Sequence, residues 1–137
     1  RCDEMEIHGV SYLEPGAEIP PQNALAAEAE RQLRAYLADA GVSFGLPLRP
    51  SGTAFQRRVW GEIAAIPCRQ TKSYGEVARA LHNAPRAVGQ ACGANPFPLI
   101  VPCHRVTAAN GLGGFANAHD GWLLDVKRWL LALEGAL

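Results

Sequence analysis

The chain has 137 residues, 48% of them hydrophobic, and a formal charge of zero. It is long enough for one compact domain or a domain plus part of another, and too apolar for wholesale disorder. No run is apolar enough to span a membrane and no signal-peptide pattern opens the chain, so no membrane partner is expected and the protein is placed in the cytoplasm, or the nucleus in a eukaryote. The start at Arg1 instead of a methionine leads us to expect a trimmed amino terminus. Charge is uneven: residues 51–110 carry seven basic side chains (Arg57, Arg58, Arg69, Lys72, Arg79, Arg86, Arg105) against two acidic ones (Glu62, Glu76), enough for a basic face toward phosphates or simply an uneven solvated surface. Cys2, Cys68, Cys92 and Cys103 form no CxxC pair, which favours free thiols in a reducing compartment. Cys2 and His8 lack nearby partner ligands, and no metal site is assigned.

In chain order, residues 7–13 alternate and predict a strand ended by Pro15-Gly16. Asn23 caps a predicted helix over 24–40 with Leu25, Ala29, Leu33 and Leu37 on its inner face, and Gly41 ends it. Residues 42–52, with Pro47, Pro50 and Gly52, read as a linker. Residues 1–48 are thus expected to be a reduced amino-terminal α/β domain, strand plus helix, with its linker, and residues 49–137 the main domain. There, Thr53 caps a helix turning Phe55, Val59, Trp60 and Ile63 inward, Ser73 caps a helix over 74–81, and Pro85 opens another to about residue 94. The latter two form a helix-turn-helix candidate, a pattern also common in helical proteins that bind no DNA. Leu99-Ile100-Val101 reads as a short buried run, Asn110 to Gly114 as a flexible loop, and 120–134 as a closing helix with Leu123, Val126, Leu130 and Leu133 inward. The fold class expected is α+β, mostly helical.

Cys103 follows Pro102 and precedes His104. A cysteine there is either a small core hydrophobe or a nucleophile. Ile100-Val101-Pro102-Cys103-His104-Arg105-Val106 resembles the active-site motif of the O6-alkylguanine-DNA alkyltransferases. Arg86-Ala87-Val88-Gly89-Gln90-Ala91 and Asn95-Pro96-Phe97-Pro98 resemble that family's recognition helix and asparagine turn. Phe55-Gln56-Arg57-Arg58-Val59-Trp60, Ile66-Pro67 and Ser73-Tyr74-Gly75-Glu76-Val77-Ala78 resemble its upstream signature, and Lys127-Arg128-Trp129-Leu130-Leu131-Ala132-Leu133-Glu134 its final helix. The resemblance covers about residues 46–135.

It implies a monomeric repair protein, acting on double-stranded DNA that contains O6-alkylguanine and also on O4-alkylthymine. Cys103 would accept the alkyl group once, irreversibly and without a cofactor. By position, Glu134 would orient His104, which takes the Cys103 proton through water, and Tyr74 would hydrogen-bond guanine N3. Arg86 would fill the space of the flipped base, with Ala87, Gly89, Tyr74 and Arg105 also at the DNA. Asn95 would tie the recognition helix to the active-site segment. Pro102, Val106, Phe115 and Ala116 would shape the pocket, with backbone groups of Cys103, Val106 and the loop near Ala116 reading the base edge. Residues 115–121 form a longer loop than the family pattern, 82–85 a slightly shorter turn, and Gly93-Ala94 lacks a basic residue often found there. A lesion-binding protein without transfer, a Cys-His hydrolase and a helix-turn-helix regulator are the competing readings.

Overall fold

The computed structural model describes residues 1–115 and 121–137. It is mostly helical with a small two-stranded sheet, and its backbone divides into two compact units, Arg1–Pro50 and Ser51–Leu137.

The first unit is built on α1 (Ala24–Ala38), whose Asn23 cap accepts from the Ala26 amide at 2.8 Å. Its buried side chains are Gln32 and Tyr36, whereas Leu33 and Leu37, expected inside, are exposed. The stripe is rotated because Gln32 is fastened to one backbone position. Its amide donates to the Gly45 carbonyl (3.0 Å) and accepts from the Gly45 N–H (2.8 Å), and Tyr36 packs on Phe44 one turn further along. The predicted strand over 7–13 does not form. Only Ile7 pairs, bridging to Cys2 and Leu48. Ile7 donates to the Pro47 carbonyl (2.7 Å) and accepts from Arg49 (2.8 Å), but Pro47 has no N–H to extend the ladder, and the Gly9 amide is taken by the Arg1 carbonyl.

The second unit holds the core and the elements around Cys103. Helix α2 (Ala54–Ala64) begins at a reciprocal capping box between Thr53 and Gln56 and buries Val59, Trp60 and Ile63. A second box, Ser73 with Glu76, starts α3 (Tyr74–Ala80). The chain reverses through His82 at φ +53° into α4 (Pro85–Gly93), with Pro85 in the first turn. Val77, Ala78 and Leu81 meet Val88 and Ala91 between the two helices, while α2 packs alongside. The Trp60 indole N–H donates to the Ala91 carbonyl at 2.8 Å. That carbonyl lies in the last turn of α4, and the Asn95 amide four residues on bonds Cys92 instead, so the indole supplies its buried partner.

Three features were not anticipated. Two-residue strands β1 (Lys72–Ser73) and β2 (Val106–Thr107) pair in parallel, Lys72 with Val106 and Ser73 with Thr107, setting the start of α3 beside the Cys103 segment. The run 99–101 is only half-buried, and Leu99 takes φ +77°. Helix α5 (Trp122–Leu133) buries Lys127, Leu130 and Leu131, so a lysine occupies the inner stripe where Val126 and Leu133 were expected. The Trp60→Phe variant should lose about 1–3 kcal/mol in urea unfolding, because it orphans the Ala91 carbonyl and removes part of a buried ring.

Candidate active site

Pro102 is buried and precedes a single 3-10 turn, Cys103–Arg105, that carries the reactive candidates. The turn is closed by Cys103 N–H to Val101 O (2.8 Å) and Arg105 N–H to Pro102 O (2.9 Å). The Cys103 side chain is buried within the core cluster that includes Val88 and Ala91 of α4. The Asn95 amide group donates to the Cys103 sulfur at 3.2 Å and to the Val101 carbonyl at 3.0 Å, while its oxygen accepts from the Phe97 N–H at 2.9 Å. One side chain thus joins the exit of α4 to the nucleophile's turn.

His104 is fully buried, and its Nε2 lies 2.8 Å from Glu134 Oε2. Glu134 caps α5 and is also buried. Because a carboxylate only accepts, Nε2 carries the hydrogen and Nδ1 keeps its lone pair. Nδ1 is buried with no hydrogen-bond partner among the described residues. Burial holds the His104 pKa below its ordinary value, outweighing the attraction of Glu134. The imidazole is therefore a neutral base whose accepting nitrogen is uncommitted.

Arg105, expected at the DNA, is spent inside the protein. It grips Glu134 with two nitrogens (2.8 and 3.0 Å) and donates a third to the Ile66 carbonyl (2.8 Å), with its side chain only 13% exposed. The fork geometry explains the choice, since guanidinium and carboxylate match bidentately. The backbone groups expected to read the base edge are also engaged. Cys103 N–H bonds Val101, and Val106 N–H bonds the Cys103 carbonyl. Val106 O accepts from Lys127 Nζ at 2.7 Å.

Lys127 is a site residue the sequence reading missed. Its ammonium donates to Val106 O and to Gly114 O (2.9 Å), and stands 5.9 Å from the centre of the Tyr74 ring. Burial brings its pKa down to about 8, opposed by attraction to Cys92 and Cys103. A signal was present: position 127 falls four residues after Leu123 and three before Leu130, on the inward face. Tyr74 donates to the same Gly114 carbonyl at 3.3 Å, and burial pushes its pKa up to about 12, so the phenol stays protonated. Gly113, at φ +74°, lies against this ring; a Cβ there would meet Tyr74 Cε2 at 3.0 Å and the Ala108 nitrogen at 3.1 Å. Phe115 is buried beside this loop, whereas Ala116 and the rest of the longer loop to Asp120 lie outside the described residues.

The structure therefore gathers Cys103, His104, Glu134, Asn95 and Tyr74 around the turn. On α4 it leaves Arg86 exposed and Ala87 and Gly89 half-buried, while Val88 and Ala91 are buried. In the first unit, Cys2 contacts Asn23, whereas His8, expected to lack nearby partner ligands, stands with Asp3 and Glu6, whose ligand atoms all lie within 4.8 Å of one another. Among the described residues, no helix is long and apolar enough to cross a membrane.

Residues 54–136 match the family model described as 6-O-methylguanine DNA methyltransferase, DNA binding domain. The chain belongs to the 6-O-methylguanine DNA methyltransferase family. It is 49% identical over 112 residues to the methylated-DNA–protein-cysteine methyltransferase of Methanosarcina acetivorans, covering 80% of this chain and 69% of that protein. The Archaeoglobus fulgidus protein of the same name is 38% identical over 85% of this chain and 80% of its own length. Among solved structures, Mycobacterium tuberculosis OGT in complex with DNA superposes with a TM-score of 0.77 at 37% identity, covering 97% of this chain and 83% of that one.

The depressed basicity of His104 has a thermodynamic consequence. Below about pH 6.5 the unfolded chain takes up a proton on this imidazole that the folded chain refuses. Stability should therefore fall as pH drops from about 6.5 toward the folded-state pKa. Urea midpoints measured from pH 7.5 to 5.5 should decline in the wild type and decline less in His104→Gln.

Proposed function

We propose that this chain repairs DNA by moving the alkyl group of O6-alkylguanine, or of O4-alkylthymine, onto Cys103 in one irreversible step. The observation that carries this reading is the relay Glu134–His104 beside a buried cysteine whose sulfur already accepts a hydrogen bond from Asn95. Cys103 has its pKa lowered, first by the neighbouring Cys92 thiol, then by the Asn95 hydrogen bond and the Lys127 charge, against the opposing effect of burial. A thiolate is the form needed for attack on carbon. The free Nδ1 lone pair of His104 takes the thiol proton, through a water molecule, while Glu134 stabilises the imidazolium that results.

In the transfer, the sulfur pair forms the new S–C bond as the C–O6 bond breaks, and its electrons pass to the guanine. Tyr74 supports that departure from N3, and its raised pKa keeps it a hydrogen-bond donor. The product thioether has no leaving group, so the protein is consumed, and no cofactor enters the chemistry. Buried Lys127 ties Gly114, beside Tyr74, to Val106 of β2.

The target atom is hidden in the base stack and must be flipped out. Exposed Arg86, in the first turn of α4, enters the vacated space, and α4 lies in the minor groove. Gly89 supports close approach to DNA: a Cβ added there would meet nothing within 4 Å, so internal packing does not require glycine. A glycine in mid-helix costs about 0.5–1 kcal/mol relative to alanine, and contact with an outside surface explains why that cost is retained. Residues 49–137 carry the binding and transfer functions and 1–48 a reduced amino-terminal domain. The protein works as a monomer in the compartment that holds DNA, the cytoplasm or the nucleus. A lesion sensor without transfer is disfavoured by the presence of Cys103 together with its activating groups.

Two measurements test this. Intact mass after incubation with a duplex containing O6-methylguanine should rise by one methylene equivalent, located on Cys103, and then stop. Cys103→Ser should bind the same duplex with no mass gain, and an unmodified wild type under these conditions would refute the assignment. Gly89→Ala should raise the unfolding free energy by about 0.5–1 kcal/mol yet weaken duplex binding; equal binding would remove α4 from the interface.

A further inference from the structure

The carboxylate beside His104 is shared. Glu134 Oε2 accepts from His104 Nε2 at 2.8 Å and from Arg105 Nη2 at 3.0 Å, and Oε1 accepts from Arg105 Nε at 2.8 Å. The Glu134 and His104 side chains have no exposed surface, and the Arg105 side chain is nearly as buried. A third Arg105 nitrogen is held by the Ile66 carbonyl at 2.8 Å, so the guanidinium cannot swing away from the carboxylate without losing that bond too. The chemistry proposed above uses Glu134 and His104 and gives Arg105 no part.

We propose that Arg105 is a positioning residue for alkyl transfer: its guanidinium neutralises the carboxylate beside His104, so that the imidazole gains a proton only as Cys103 loses one. The inference rests on reading Cys103 as the alkyl acceptor. It follows from counting charge in a buried space. Glu134 and Arg105 together carry none, so a proton added to His104 from solvent would leave a buried positive charge unbalanced. A proton passed from the Cys103 thiol to Nδ1 is different, because the S–H bond breaks as the N–H bond forms. Thiolate and imidazolium then appear together, and the total is unchanged. When the sulfur becomes a thioether that counter-charge is gone, and the imidazolium releases its proton to balance the one the departing guanine anion takes up. Without Arg105 the Glu134 charge would stand alone. It would draw a proton onto His104, or take one itself and donate it to Nε2, which moves the ring hydrogen to Nδ1. Either outcome occupies the nitrogen that must receive the thiol proton. The remaining surroundings agree. Burial weighs most against charge on the ring, Glu134 favours it, and Arg105 and Lys127 of α5 work against it. Cys92 of α4 and Tyr74 of α3 are both pushed up and stay neutral, and α2, packed on the same turn, buries only Val59, Trp60 and Ile63.

The test compares wild type, Arg105→Gln, and Arg105→Gln/Glu134→Gln, which removes both charges and strands neither. Single-turnover transfer from an O6-methylguanine duplex is followed from pH 5 to 9, beside iodoacetamide labelling of Cys103 read by peptide mass. In Arg105→Gln the pH below which both rates fall should move up by about one unit or more. Relative to its own rate at pH 8.5, this variant should then be about tenfold slower than wild type at pH 6. In the double variant the fall should return to the wild-type pH, whatever the absolute rate. An Arg105→Gln fall at the wild-type pH, or slowing by one factor at every pH, would overturn the proposal by reducing Arg105 to a structural tie. Should Arg105→Gln not fold, the double variant decides: a fall displaced upward from wild type would also overturn the charge count. An Arg105-dependent labelling profile in a protein that takes no methyl group from DNA would instead overturn the repair reading alone.

Discussion

The arrangement around Cys103 depends on one buried carboxylate. Glu134 at the end of α5 accepts from His104 and, through two contacts, from Arg105. An ionised carboxylate without partners would be driven out of this interior or protonated there. Here its charge is matched by a guanidinium that also reaches the Ile66 carbonyl beyond α2, so the carboxylate joins the last helix, the 3-10 turn and the segment after α2. Breaking such a buried pair by removing one partner typically costs about 3–5 kcal/mol, because the remaining charge is stranded. The same contact fixes which nitrogen of His104 holds the hydrogen. Structural and chemical roles therefore share one atom pair, and all three guanidinium nitrogens of Arg105 are engaged within the protein.

Electrostatics around the sulfur follow from the same economy. The polar groups that act on Cys103 come from different elements: the Asn95 amide after α4 and the Lys127 charge on α5. Neither is solvated like a surface charge, so each acts at short range and with little screening. Lys127 remains inside because two carbonyls, Val106 and Gly114, take its hydrogens, and those carbonyls in turn hold the loop that borders Tyr74.

Much of this was legible in the residues. The capped starts of α2 and α3, the proline opening α4 and the closing helix follow from local rules, and the positions of Cys103, His104, Asn95 and Glu134 follow from the motif resemblance. The failures share a cause, namely that a non-local partner decided the outcome. Leu33 and Leu37 obey helical periodicity but lose to the grip of Gln32 on Gly45. The 7–13 strand has alternation without an extendable neighbour. Strands β1 and β2 are too short to leave any pattern. Arg105 looks like a DNA contact until Glu134, 29 residues away, is seen to claim it.

That dependence on distant partners bears on how the chain acquires its reactivity. The capped helices need only neighbours a few residues apart and can form early. The contacts that anchor His104, Arg105 and Val106 bridge long intervals: 30 residues from His104 to Glu134, 39 from Ile66 to Arg105, and 21 from Val106 to Lys127. Closing such intervals is an entropic cost repaid only when the whole second unit has collapsed. A half-made chain emerging during synthesis thus carries an ordinary thiol, and stray electrophiles find nothing unusually reactive in it. For a sulfur that can be used once, late assembly keeps it in reserve until the molecule is complete.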